Sequence, residues 1–219
     1  MSAFEFIPSL LSGLGVTLAL TFGGAAVAAT LAWIAGLARM SHQGLVRVLA
    51  GIYIETFRGT SALVQLYWFF YALPLLGINL SAMVAGILVL GLNIGAYGAE
   101  VVRGAVLSVD KGQYEAATAL NMSAMQRLWI VIVPQALIRM LPPAGNLLIE
   151  LLKSTALVSL ITLSDLTFRG MLLRSETLRT VEVFGLLLII YFVVAQALVC
   201  GLRALEQRLA KAWHLENIA

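Results

Sequence analysis

The chain has 219 residues, of which 61% are apolar and only 11% charged, with a mean hydropathy of +0.96. An ordinary soluble domain is about 45–50% apolar and about 25% charged. So much apolar surface leaves too little polar material to cover a single core, and lipid has to act as part of the solvent. The net charge of +3 does not point to nucleic acid, because the basic residues are scattered between apolar blocks and form no face. Cys200 is the sole cysteine and lies in an apolar run, which excludes an intramolecular disulfide and argues against a thiolate metal site.

In chain order, apolar runs long enough to cross about 30 Å of hydrocarbon fall at residues 6–38, 59–77, 78–99, 140–164 and 183–202. The first lacks a basic leader before it and is too long for the apolar core of a secretory signal, so it reads as a retained span. Pro74 and Gly77 separate the second from the third. The fourth opens on Pro142-Pro143 and contains Glu150 and Lys153, a pair tolerable within a span if it faces protein or a wet cavity. The expected architecture is therefore an all-α membrane protein of about five transmembrane helices, a single transmembrane domain over residues 1–219 without visible repeat. Placing the N-terminus outside leaves ten basic residues on the cytoplasmic side, from Arg39 to Lys211, against Arg169, Arg174 and Arg179 outside. That bias favours an external N-terminus and a cytoplasmic C-terminus.

Residues 100–139 carry too many charges to cross lipid and read as short helices at the membrane surface. Tyr114, Ala117 and Thr118 share one helical face, and the small pair Ala116-Ala117 permits close approach of another chain. Asn121 suits the left-handed residue that ends a helix. Ser123 with Gln126 forms a capping-box pattern for the next helix, which Pro134 is expected to break about three turns on.

Glu115-Ala116-Ala117, the turn at Asn121 and the run ending Ile132-Val133-Pro134 resemble the EAA loop of ATP-binding-cassette importer permeases. That family usually has Gly where Asn121 stands, and often Leu-Pro in place of Val133-Pro134. Further blocks are similar to the polar-amino-acid uptake branch: Glu55 to Thr60 with Val64-Gln65-Leu66, Tyr97 to Glu100 with Arg103-Gly104, Pro134-Gln135-Ala136, and Lys153 to Leu157. Ala119 to Met122 and Leu160 to Phe168 look most like ectoine and hydroxyectoine permeases. The resemblance implies an inner-membrane subunit of a bacterial importer for a small polar or zwitterionic solute. Its implied partners are a cytosolic ATP-binding subunit dimer, a second identical or homologous permease subunit, and an extracellular or periplasmic solute-binding protein. It also implies that Glu115, Ala116, Ala117, Asn121 and Pro134 couple to the ATPase.

Other residues admit two readings each. Glu55 with Arg58, and Glu100 with Arg103, are i, i+3 pairs that read as structural charge pairs, with gating as the alternative. Glu150 and Lys153 either neutralise each other or line a path for a zwitterion. Gln65, Asn93 and Asn146 read as interhelical hydrogen-bonding groups or as substrate contacts. The chain has no phosphate-binding G-x-x-x-x-G-K-[ST] loop and no metal-ligand cluster, so no cofactor is expected in it and ATP would be bound by the partner ATPase. A stand-alone secondary transporter and a non-transporting scaffold are the competing functions; the lack of an inverted repeat argues against the former.

Overall fold

The computed structural model describes residues 6–212. Eight helical elements follow in order: α1 (Ile7–Arg39), α2 (Gly44–Gly59), α3 (Ala62–Leu76), α4 (Ala82–Leu107), α5 (Lys111–Ala119), α6 (Ala124–Ile161), α7 (Leu166–Thr177) and α8 (Thr180–Ala212). Four of them, α1, α4, α6 and α8, are long and apolar enough to cross a membrane. A fifth crossing is supplied if α2 and α3, bent 103° to each other, act as one broken span. No strand occurs among the described residues.

The core is a seam between α1 and α4, built from small residues at helical spacing. Gly24, Ala28, Ala32 and Gly36 are buried on α1, as are Gly91, Gly95 and Gly98 on α4. Lipid offers apolar groups no reason to leave it, so helices in it associate through close backbone packing, which small residues permit. The approach is tight: a Cβ at Gly36 would lie 2.8 Å from the Ala99 carbonyl oxygen, and one at Gly91 would lie 2.6 Å from Val27 Cγ1. Contacts step forward together, from Leu20 at Gly86 through Ala32 at Gly98, so α1 and α4 run parallel. The chain between them must cross back, which is the task of α2 and α3. α6 runs antiparallel to α4: its Ile132, Ala136 and Met140 pack on Val102 to Val109, while Leu151 packs with Ile94 and Val89. Hence α1 and α4 end, and α6 begins, at the same end of the bundle.

Several boundaries differ from those expected. The run 59–77 does not start a helix at Gly59; the chain breaks at Thr60-Ser61, and α2 precedes it as a separate amphipathic helix. The run 78–99 becomes α4, which starts only where Ser81 Oγ accepts from the Val84 amide at 3.3 Å. It continues to Leu107 because Glu100 and Arg103 satisfy each other on its side. Pro134 does not break the following helix, and Pro142 and Pro143 lie inside it rather than at its start. A wide i→i+5 turn over Arg127–Ile132 precedes Pro134, so the proline falls in the first turn of the renewed α-helix, where its missing N–H is tolerated. The run 183–202 is the middle of α8. The stretch before it, expected as an outer loop, holds α7, whose Asp165 N-cap accepts from the amides of Thr167 and Phe168 at 3.2 and 2.9 Å. Thr17 Oγ1 accepts from the Leu166 amide at 3.1 Å, fixing α7 to α1. The side chain of Lys211 lies outside the described residues.

Candidate functional site

The segment after α4 forms a helix, a turn and a second helix, each edge closed by local chemistry. Asp110 N-caps α5 by accepting from the Gly112 amide at 2.6 Å. At the other end, Asn121 is left-handed at φ 58°. Its amide donates to the Thr118 carbonyl at 2.9 Å and that of Met122 to the Ala117 carbonyl at 3.1 Å. These are the paired bonds of a Schellman motif, which Asn tolerates better than other residues bearing a Cβ. Ser123 and Gln126 form the reciprocal capping box, with the Gln126 amide donating to Ser123 Oγ and the Ser123 amide to Gln126 Oε1.

Side chains then brace α5 against both spanning helices. Tyr114 Oη donates to the Val106 carbonyl of α4 at 3.1 Å. Partial burial raises the Tyr114 pKa above its usual 10.0, with the Arg127 charge opposing, so the hydroxyl stays a neutral donor at ordinary pH. Arg127 Nη1 donates to Thr118 Oγ1 at 2.8 Å, and its guanidinium lies over the Tyr114 ring. Gln135 Nε2 donates to Gln113 Oε1 at 3.3 Å, and Arg139 donates to the carbonyl and hydroxyl oxygens of Ser108. Ala117 is buried in this bracket, while Glu115 and Ala116 face outward and are exposed. Leu120, Met125, Trp129 and Ile130 continue the outward surface as uncovered apolar groups. The exposed side of α5 is thus joined to the ends of α4 and α6 by direct contacts.

Gln65 and Asn93 meet in one buried knot. Gln65 Nε2 donates to the Phe57 carbonyl at 3.0 Å and to Thr60 Oγ1 at 2.6 Å. Asn93 Nδ2 donates to the same Phe57 carbonyl at 2.9 Å and to Gln65 Oε1 at 3.2 Å. Both amides thus serve the carbonyl released where α2 stops, so they hold the bend. Glu100 and Arg103 form an ion pair at 2.7 Å. The Glu55–Arg58 pair does not close: Arg58 at the end of α2 lies over the Tyr97 ring at 5.2 Å instead. Exposed pairing of this kind is worth about 0–1 kcal/mol, so a ring face competes readily. Glu150 and Lys153 form no ion pair either, so of their two readings mutual neutralisation is not seen. Asn146, Glu150 and Lys153 are exposed at i, i+4 and i+7, one polar stripe along α6.

Residues 28–211 match the family model described as the binding-protein-dependent transport system inner membrane component. The chain belongs to that family. This permease is 43% identical over 217 residues to a probable amino-acid ABC transporter permease of Sinorhizobium fredii, covering 96% of this chain and 91% of the relative. It is 35% identical over 205 residues to the glutamine transport system permease of Escherichia coli, covering 93% and 94%. Its fold superposes on a chain of the crystal structure of an amino acid ABC transporter with histidines at TM-score 0.86 and 36% identity, over 94% and 96% of the two chains. An inward-facing methionine ABC transporter shares the fold at TM-score 0.78 and 19% identity, over 95% and 99%. The permease is therefore the inner-membrane subunit of an ABC importer of the polar-amino-acid class. The braces at Tyr114, Thr118, Arg127, Gln135 and Arg139 were not foreseeable from spacing, because each joins residues from different helices.

Proposed function

We propose that the α5 bracket is where a separate cytosolic ATPase pair grips the permease and drives it between inward and outward access. The observation that carries this reading is the exposure of Glu115 and Ala116 on a helix whose opposite side is tied to both α4 and α6. A surface built only for stability would not need a rigid link from an exposed helix to two spans. In this reading Pro134 and Asn121 set the lever's shape, ATP is bound only by the partner, and the chain carries no cofactor of its own. In this reading the end holding α5 is cytoplasmic, so α1 starts on the outer side.

The polar stripe Asn146, Glu150 and Lys153 faces a second permease subunit across the solute path, since exposed charge within a span is costly against lipid. One acid and one base on that face suit a zwitterion, and amino acids are the cargo favoured by the relatives named above. An ectoine-like solute presents the same pair of charges. A binding protein delivers the solute from outside. To test the contact, Glu115→Cys is introduced in a Cys200→Ser background and the assembled transporter is treated with a short bifunctional thiol reagent. Cross-linking to a cysteine in the ATPase that changes on ATP addition supports the reading; no cross-link in any nucleotide state overturns it. Uptake of glutamine, arginine and ectoine into proteoliposomes, with Glu150→Gln and Lys153→Met variants, decides the cargo and the role of the stripe.

A further inference from the structure

The end of the bundle that carries α5 also holds a charged pocket that coupling does not use. Arg39 in the last turn of α1, Arg47, Glu55 and Arg58 on α2, and Glu100 and Arg103 on α4 line a space of about 400 Å³. Four guanidinium groups against two carboxylates leave a formal surplus of two positive charges. Only one carboxylate is held: Glu100 accepts from Arg103 Nε and Nη2 at 2.9 and 2.7 Å. Arg39 donates from Nη1 to the Arg47 carbonyl at 3.3 Å, and Arg58 lies over Tyr97. None of Arg39, Arg47 and Arg58 forms an ion pair among the described residues.

The sequence of α2 produces this placement. Arg47, Gly51, Glu55 and Arg58 fall on one side of the helix at intervals of four, four and three residues. Gly51 leaves room for the Arg39 guanidinium, whose Nη1 would be 2.6 Å from a Cβ there. Leu45, Val48, Leu49 and Ile52 occupy a different side, and each is more than half exposed. A helix with basic groups on one side and uncovered apolar groups on another settles at the boundary between headgroups and hydrocarbon. α2 starts beside Arg39 at the end of α1 and reaches the middle of α4, where Tyr53 Oη donates to the Leu92 carbonyl at 2.8 Å, before the 103° bend into α3.

We propose that this pocket binds a phosphate group, and that its bearer is the headgroup of an anionic phospholipid in the adjoining leaflet. Guanidinium forks match phosphate oxygens in pairs, which a lone ammonium does not. The surplus charge favours an anion over a zwitterion or cation. The apolar stripe beside the basic side supplies a surface for the acyl chains, which a soluble phosphate would not use.

The test uses the permease assembled with its ATPase in nanodiscs of phosphatidylcholine with a minority of phosphatidylglycerol. Native mass spectrometry reads the phosphatidylglycerol retained on release, and inorganic phosphate is titrated as the soluble probe. Arg47→Gln and Arg58→Gln are compared with Arg47→Lys, and with Arg174→Gln on α7, away from the pocket. Wild type and Arg174→Gln are expected to retain phosphatidylglycerol in preference to phosphatidylcholine. The Gln variants should lose that preference by roughly fivefold each, and Arg47→Lys should recover part of it. Inorganic phosphate that binds with the same arginine dependence and displaces the lipid would support the phosphate site but overturn the lipid as its bearer. Equal retention in wild type and both Gln variants, with no arginine-dependent phosphate binding, would overturn the site altogether.

Discussion

Replacing Gly36 by Ala should loosen the seam on which the whole bundle is assembled. The added Cβ would sit 2.8 Å from the Ala99 carbonyl oxygen and 2.8 Å from Val102 Cβ, whereas ordinary contact begins at 3.4 Å, a shortfall of 0.6 Å (3.4 − 2.8). Neither atom is the end of a flexible side chain, so α1 and α4 must part along a common length. Overpacking of this kind costs about 1–3 kcal/mol, offset in part by about 0.5–1 kcal/mol from the better helix propensity of Ala. Gly15 on the same helix has nothing within 4 Å of its Cβ position, so Gly15→Ala keeps the propensity gain without the clash. The difference between the two variants isolates the packing effect. At about 2–4 °C per kcal/mol for a chain of this size, Gly36→Ala should melt roughly 2–12 °C below Gly15→Ala. Thermal unfolding of the assembled transporter in nanodiscs measures it. Equal melting temperatures would refute the close-packed seam.

Two further substitutions probe the bend and the turn. Asn93→Leu and Gln65→Leu should each destabilise by about 1 kcal/mol, and the double variant should cost less than their sum, since the two amides share Phe57 and each other; strict additivity would argue against the knot. At Asn121, Gly should be neutral or stabilising while Val should cost about 1–2 kcal/mol, read as faster proteolytic nicking between Ala119 and Ser123; equal nicking of both variants would deny the left-handed turn a role.

Much of the fold was legible because its signals are local. Uncharged runs located four of the five crossings, and Ser123 with Gln126 and the left-handed Asn121 behaved as their side chains dictate. The bend between α2 and α3 was not legible, because α2 mixes Arg47, Glu55 and Arg58 with exposed apolar residues and falls below the hydropathy of a span. Its helix is stabilised instead by distant partners, such as Tyr53 Oη donating to the Leu92 carbonyl at 2.8 Å. Pro134 misled for a related reason: propensity marks it as a breaker, but the wide turn before it and packing against α4 carry the helix through. Among the candidate site residues, Gln65 and Asn93 could be named as polar groups within spans, yet only the fold shows that both serve the carbonyl of Phe57. The Gly24 to Gly36 seam is visible in the sequence once small residues are counted at every fourth position. Hydropathy alone passes over it, since glycine and alanine contribute little to the apolar signal.

In the proposed mechanism, force enters the permease through the exposed side of α5. Its most direct test is ATP hydrolysis by the reconstituted transporter, with and without solute-loaded binding protein, comparing wild type with Glu115→Lys. Wild type should hydrolyse faster when loaded binding protein is present. The variant, assembled and as thermally stable as wild type, should lose most of that stimulation and the accompanying uptake. Undiminished stimulation and uptake in Glu115→Lys would contradict entry of force through α5.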